Sequence, residues 1–463
     1  MNIHIKSEKT DKHLSSLGGL TLFAKFWSTL KMPAMISNFL PQVRHSLKKF
    51  EDLSLGFAAG AECLDDISTL ALDEGFRAVC DEKVYTAKSY GDYLREFTEP
   101  QIDEGNRALA RSAFMQRAKI DKKMTSMTFD FDSTFNEQYA EKMEGVCFSG
   151  EKKATGLTTM YVFDELGFQY YGDVRPGNTH TSHSIAKIIH MVLSQMPTEG
   201  TYKAEEVYLP WLKSPYKKKI HLYARADAGY SNSEFMNGCF AKNMGFVVRL
   251  KEDMLTPKLK NITNWKDTKK RLKPIKRRDG RTDYVDKSIR FYDGRRAEIG
   301  STIYRNENMV HATRLICIRA KKPGSLGLKA EDYDYYAWLT NIGEHEMNNE
   351  KIIFFYRARG QAENYIKSLK YGYDMHHYPC LKLDANRAYC LIAGFSYNVL
   401  RFIALQDNPS KPHYAKVLRN KLINLPCQVV RRSGQVFFKF METHLMEVER
   451  FLIKLKNLQY GYT

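Results

Sequence analysis

The chain has 463 residues, 43% of them hydrophobic and 13% aromatic, which excludes a disordered chain and predicts about two to four packed domains. Lysine and arginine total 71 against 53 acids, a formal charge of +18, so the expected partner is a polyanion, with DNA or RNA first. An anionic membrane fits less well, because no compact basic amphipathic helix or lipidation signal accompanies the charge.

The eight cysteines are scattered and form no CxxC pair, which reads as reduced thiols in a cytosolic protein. The opening MNIHIKSEKTDKHL lacks the apolar core of a signal sequence. The apolar run Tyr389 to Leu405 is broken by Ser396, Asn398 and Arg401, so it predicts a buried helix, not a membrane span.

Residues 1–121 read as helical. Leu20, Leu22, Phe23, Phe26, Trp27 and Leu30 recur at helical spacing, with breaks near Pro41, Gly56 and Gly75. The stretch Ile67 to Phe97 predicts two or three helices joined by a tight turn around Thr86 to Ser89, which fits either a helix-turn-helix or a plain bundle. Glu62, Asp65 and Asp66 read as helix-end or surface groups.

From residue 125 the period changes to two. In TSMTFDFDST, Met127, Phe129 and Phe131 point one way and Thr128, Asp130 and Asp132 the other. Two aspartates therefore share a strand face about 7 Å apart. Strands GLTTMYVF and GFQYYGDV follow, joined as a hairpin at Asp164 to Gly167. Then come a helix at HSIAKIIHMVLSQM, a strand KIHLYARAD ending at Asp227, a helix from near Ser233 and a strand GFVVRLK. The order strand-strand-strand-helix-strand-helix-strand predicts an α/β fold, an RNase H-like mixed sheet flanked by helices.

Residues 251–350 predict a basic, mainly β insertion. Eleven lysines and arginines lie between Lys251 and Arg278, a candidate phosphate-backbone surface or a solvated loop. Trp265 and Trp338 are candidates for stacking on an unpaired base, with burial the plainer reading.

Ile353 to Lys370 is the stretch around which the rest is organised. Drawn as one helix, it places Tyr356, Arg359, Glu363 and Lys370 on one side. Gly360 weakens such a helix by about 1 kcal/mol, so a start at Gly360 would bring Tyr356 and Arg359 in from its entry. Residues 351–408 complete the core with this segment and the helix at Ala385 to Leu405. Residues 409–463 predict a hairpin turning at Ser433-Gly434 and a closing helix through Leu458, with Arg431 and Arg432 contacting DNA or keeping the turn soluble. His180 with His183, and His376, His377 and Cys380, fall short of a zinc ligand set.

Tyr356, Arg359, Glu363 and Lys370 fit Y-x2-R-x3-E-x6-K without a gap. With DST at 132–134, RADAGY at 225–230, GAECLDD and ANRAYCLIAGFSYNVL, the chain resembles bacterial DDE insertion-sequence transposases with an RNase H-like core and a β insertion before the last acid. The resemblance covers most of the chain. It implies a catalytic and metal-binding set of Asp132, Asp227 and Glu363, with Tyr356, Arg359 and Lys370 on the phosphates of the transposon end. Asp130 stays open beside Asp132, although the D-S-T context favours Asp132. Three carboxylates suit Mg²⁺ or Mn²⁺, and two such ions are expected. The resemblance further implies that residues 1–121 bind the DNA end, that 122–250 and 351–408 form the catalytic core, and that 409–463 contact DNA or a second subunit. Its implied partners are double-stranded DNA, as terminal inverted repeats and target, and a second copy of the chain in a homodimer. Its implied setting is the bacterial cytoplasm. The rival reading is a DNA-binding regulator that has lost catalysis, against which the intact acids argue. A nuclease acting on other nucleic acids is disfavoured by the complete four-residue spacing.

Overall fold

The computed structural model describes residues 13–121, 124–140, 142–196, 220–269, 272–276, 282–286 and 288–460. The first twelve residues and part of the basic run, including Arg271, Arg277 and Arg278, lie outside these.

A short strand β1 (Leu14–Ser15) leads into seven helices: α1 (Leu20–Thr29), α2 (Met32–Ile36), α3 (Ser46–Ala59), α4 (Leu64–Leu70), α5 (Glu74–Val79), α6 (Ala87–Arg95) and α7 (Glu99–Ile120). Helix α1 buries Leu20, Leu22, Phe23, Phe26 and Trp27, the apolar stripe its spacing predicts. Asp66 takes the helix-end role, accepting from the backbone amides of Glu62 and Cys63 at 2.8 and 3.0 Å. Thr86 is not a turn residue but the N-cap of α6, its Oγ1 accepting from Ser89 N at 3.3 Å. Thr side chains compete equally for turns and caps, so the residue type alone leaves the two open.

The central sheet begins with β2 (Ser126–Glu137), β3 (Cys147–Ser149), β4 (Ala154–Asp164) and β5 (Gln169–Pro176). Helix α8 (Ile185–Ser194), strand β6 (His221–Ala226), helix α9 (Ser233–Ala241) and strand β7 (Gly245–Arg249) follow. Strand β4 pairs antiparallel with both β2 and β5, whereas β6 pairs parallel with β2 and β7 parallel with β6. The spatial order β5-β4-β2-β6-β7 is the RNase H-like mixed sheet expected, with α8 and α9 as its crossovers.

After helix α10 (Glu252–Leu255) come β8 (Lys266–Asp267), β9 (Leu272–Lys276), β10 (Thr282–Asp286), β11 (Glu298–Tyr304), β12 (Thr313–Lys321) and β13 (Tyr333–Thr340). Strands β9 and β10 form a separate two-stranded ribbon. The others extend the core sheet: β13 pairs antiparallel with β7 through Leu339 and Val248, and β12, β11 and β8 continue outward to make ten strands. The span expected to interrupt the core thus lengthens its sheet.

Helices α11 (Asn349–Arg357), α12 (Gly360–Gly372) and α13 (Leu383–Asp407) return the chain to the core. A short helix α14 (Ala415–Leu418), the hairpin β14 (Cys427–Arg432) and β15 (Gln435–Phe440), and helix α15 (Glu442–Tyr460) close it. The hairpin turns at Ser433 and Gly434, both with positive φ (50° and 72°), as a two-residue loop matched to strand twist requires. Strand β1 adds to β14. Arg431 pairs with Glu74 and Glu82, tying the hairpin to the N-terminal helices.

Helix α13 is long and apolar enough to cross a membrane, yet the most apolar part of it is wholly buried in the protein. Its three polar interruptions explain how it is held. Ser396 Oγ donates to Ser54 O at 2.8 Å, and Arg401 Nε donates to Leu166 O at 2.6 Å. Asn398 brackets Gln169 on β5, its Oδ1 accepting from the amide at 2.8 Å and its Nδ2 donating to the carbonyl at 2.7 Å. On other faces α13 packs aromatic rings, Phe39 and Phe50 against Phe395 and Phe57 against Tyr389. Helix α7 also crosses it closely, since a Cβ at Gly105 would lie 2.3 Å from Leu391 Cδ2.

Asn398→Leu removes both partners of the Gln169 backbone and leaves two buried polar groups unpaired. The expected loss is about 3 kcal/mol, read as a lower urea midpoint with an unchanged slope.

Candidate active site

The parallel register of β2 and β6 brings the first two candidate acids together. Asp130 lies opposite Arg225 and Phe131 opposite Ala226, so the next residues on the two strands are Asp132 and Asp227. Adjacent strands are about 4.8 Å apart, and residues two apart share a face. Two rungs therefore stack on one face, Asp130–Arg225 below and Asp132–Asp227 above.

The lower rung is a closed ion pair. Arg225 Nε and Nη2 each donate to one oxygen of Asp130 at 2.7 Å, while Nη1 donates to Phe355 O at 2.9 Å. Asp130 is fully buried; burial pushes its carboxyl up to about 6, and the guanidinium pulls against that shift. Both its oxygens are spent on Arg225, which favours Asp132 in the alternative left open by strand alternation. Arg225 was not singled out from sequence. Its signal was present, because it stands two residues before Asp227 as Asp130 stands two before Asp132.

The upper rung is differently held. Asp132 is 7% exposed, and its Oδ1 accepts from Ser133 N at 3.0 Å. Burial pushes its carboxyl up to about 7; Arg359 lowers it, while the neighbouring Asp227 and Glu363 raise it. Asp227 follows β6 directly and caps the turn at Ala228–Tyr230, with Oδ1 accepting from Gly229 N at 2.8 Å.

The organising segment is two helices, not one. It breaks at Ala358 and Arg359, and α12 begins at Gly360. Glu363 stands in the first turn of α12 with its side chain 57% exposed. Arg359 enters from the break: Nη1 donates to Asp132 Oδ2 at 2.9 Å, and Nη2 lies 3.6 Å from Glu363 Oε1. One guanidinium thus stands between two of the acids.

The single helical face drawn through Tyr356, Arg359, Glu363 and Lys370 therefore does not form. Tyr356 is on α11, 7% exposed, its ring 5.8 Å from Trp338 and 5.9 Å from the Arg359 guanidinium carbon. Lys370 Nζ donates to Phe135 O at 3.1 Å, three residues along β2 from Asp132 and so about 10 Å further up the strand. Burial lowers the Lys370 pKa. Trp338 is 1% exposed and takes the buried reading, and Trp265 lies beneath the Arg319 guanidinium at 4.3 Å.

The donor chemistry fits a hard divalent cation. Three carboxylates, from the middle of β2, the residue after β6 and a helix's first turn, act on one another: each of the other two raises the pKa of Asp132, a repulsion that added positive charge relieves.

The family described as Transposase DDE domain group 1 matches residues 1–460. The chain belongs to this family. Its members act in transposition, a form of DNA recombination, which agrees with an acid cluster on an RNase H-like sheet. Among solved structures the chain is similar to a piggyBac transposase in a synaptic complex with hairpin DNA. That likeness has 10% identity and a TM-score of 0.35, covering 88% of this chain and 79% of the other. No curated protein matches the chain.

Arg225→Ala strands the Asp130 carboxylate in the core. The expected cost is about 3–5 kcal/mol, read by urea unfolding, whereas an exposed control such as Arg296→Ala should shift stability by less than about 0.5 kcal/mol.

Proposed function

We propose that this DDE-family transposase serves an insertion sequence, binding its terminal inverted repeats and cutting and joining DNA strands in a cut-and-paste reaction. The observation that carries the proposal is the Arg359 guanidinium standing between Asp132 and Glu363, with Asp227 on the rung beside Asp132.

In this reading Asp132, Asp227 and Glu363 hold Mg²⁺ or Mn²⁺, with two ions proposed. Divalent ions bound to such acids supply activation of the attacking oxygen and stabilisation of the leaving one at a phosphodiester. The chain's own residues do the rest. Asp132 and Asp227 are fixed by strand register and by backbone amides, so little order remains to be imposed when substrate arrives. Glu363 is exposed on the helix's first turn and can adjust as the site fills. Arg359 exchanges Asp132 for a DNA phosphate, so the cation that balances the acids in the free protein grips the backbone in the complex. Lys370 and Tyr356 lie on either side of this centre and are assigned to the same strand, Lys370 through its charge and Tyr356 by supporting Arg359. Water as the nucleophile nicks the element's end, and a 3′-hydroxyl joins strands at the target.

Residues 1–121 are assigned to recognition of the DNA end, and two chains are proposed to pair the two ends before cutting. The charge of +18 supports a duplex partner through counterion release.

The deciding assay incubates the protein with Mg²⁺ and duplexes carrying its element's ends. Glu363→Gln should lose at least about 1,000-fold in nicking with unchanged circular dichroism, and chelation should abolish wild-type nicking. Wild-type protein that never nicks matched ends overturns the proposal. In the same assay Arg359→Lys keeps the charge but loses the planar fork, with an expected fall of about 10- to 100-fold.

A further inference from the structure

We propose that Asp374, His376 and His377 form a second metal site, for a transition-metal dication of the zinc class, separate from the carboxylate centre. These residues follow α12 in a loop, and their ligating atoms all lie within 4.8 Å of one another. His377 Nδ1 stands 3.1 and 3.0 Å from the two oxygens of Asp374, and His376 Nδ1 stands 3.2 Å from Oδ1. The two rings are 4.0 Å apart between centroids and inclined by 37°. Both histidines thus turn the same nitrogen toward one carboxylate.

Hydrogen bonding directs the His377 Nδ1 proton to Asp374 and the His376 Nδ1 proton to Lys370 O at 2.9 Å, with Asp374 Oδ1 3.2 Å away, so binding a metal would displace both protons. A metal uses the same three atoms and leaves the Nε2 atoms to carry the protons, which suits His377 with its side chain 67% exposed. Two imidazoles and a carboxylate favour zinc, nickel or copper over magnesium, so this donor set differs in kind from the three acids. The Lys370 carbonyl, 2.9 Å from His376 Nδ1, brings a further oxygen to the same side, and three side-chain ligands leave a position for it or for water. Sequence reading grouped these histidines with Cys380. The loop instead turns Asp374 inward, at φ +53°, a conformation side chains other than glycine seldom adopt.

The cradle is fastened on both sides. Met375 N donates to Leu369 O at 3.2 Å, and His377 N donates to Asp374 O at 3.0 Å. Gln138 Nε2, just past β2, donates to His376 O at 2.7 Å, and the Tyr378 hydroxyl accepts from Asn136 Nδ2 at 3.2 Å. A dication there would close the loop that follows α12, the helix of Glu363, a loop that Gln138 and Asn136 fasten to the strand of Asp132.

The test uses the full chain, dialysed free of metal, with Zn²⁺ alone as the probe in equilibrium dialysis. Wild type should bind one more Zn²⁺ per chain than the His376→Ala/His377→Ala variant, and Glu363→Gln should keep that ion. Asp374→Asn, a near-isosteric change, should raise the dissociation constant at least about tenfold. Equal stoichiometry in wild type and a folded double variant overturns the proposal. If the double variant does not fold, Asp374→Asn decides alone, and unchanged affinity there overturns it.

Discussion

A buried carboxylate cannot remain charged in a sheet core without a partner, and the Asp130–Arg225 pair meets that constraint in a way that organises the site. The pair joins β2 to β6 across their parallel seam. The third nitrogen of the same guanidinium reaches Phe355 O near the end of α11. That contact lies two residues before the end of α11, and beyond the break Arg359 closes on Asp132 one rung above the pair. The structural ion pair and the candidate active site are therefore successive rungs of one ladder. The lower one is saturated, and the upper one keeps a carboxylate with a raised pKa beside two other acids.

The strands between 251 and 350 have a part in the same arrangement. By continuing the sheet through β13 they supply a second apolar cluster, which includes Val247, Ile316, Trp338, Ile352, Ile353 and Tyr356. Helix α11 rests on that cluster through its three residues. The extension is thus the floor beneath the helix that leads to Glu363, and Tyr356 belongs partly to that floor. Its burial against Trp338 leaves it beside Arg359 but away from solvent.

On the other side of the molecule the N-terminal helices share the main hydrophobic cluster with β2, β4, β5 and α13. Helix α13 joins them. Its apolar residues fill space between layers, and its polar ones make bonds that no apolar side chain could, to Ser54 on α3 and to the backbone of the β4–β5 hairpin. Such bonds specify where a nearly uniform apolar helix must dock, since apolar packing by itself tolerates sliding.

Local pattern was enough for the elements. Period-two alternation read out β2, apolar runs joined by a turn read out β4 and β5, period-3.6 stripes read out α1, α8 and α13, and the strand–helix order read out the RNase H-like sheet, because each depends on neighbours within a few residues. The four-residue spacing from Tyr356 to Lys370 likewise pointed to the family that the whole chain matches. What the sequence could not decide was pairing across distance. Asp130 and Asp132 are equivalent by alternation, and only the register with β6 gives one of them Arg225 on both oxygens. A helix drawn from Ile353 to Lys370 satisfies spacing; Gly360 offered a start there, and the folded chain places the break at Ala358 and Arg359. Asp374 turned toward two histidines by a left-handed backbone has no periodic signature at all. The sequence by itself determined the main elements, the family signature and a candidate set of site residues. The tertiary structure decided which of them meet, because charge neutralisation and strand register are set by partners about a hundred or more residues away.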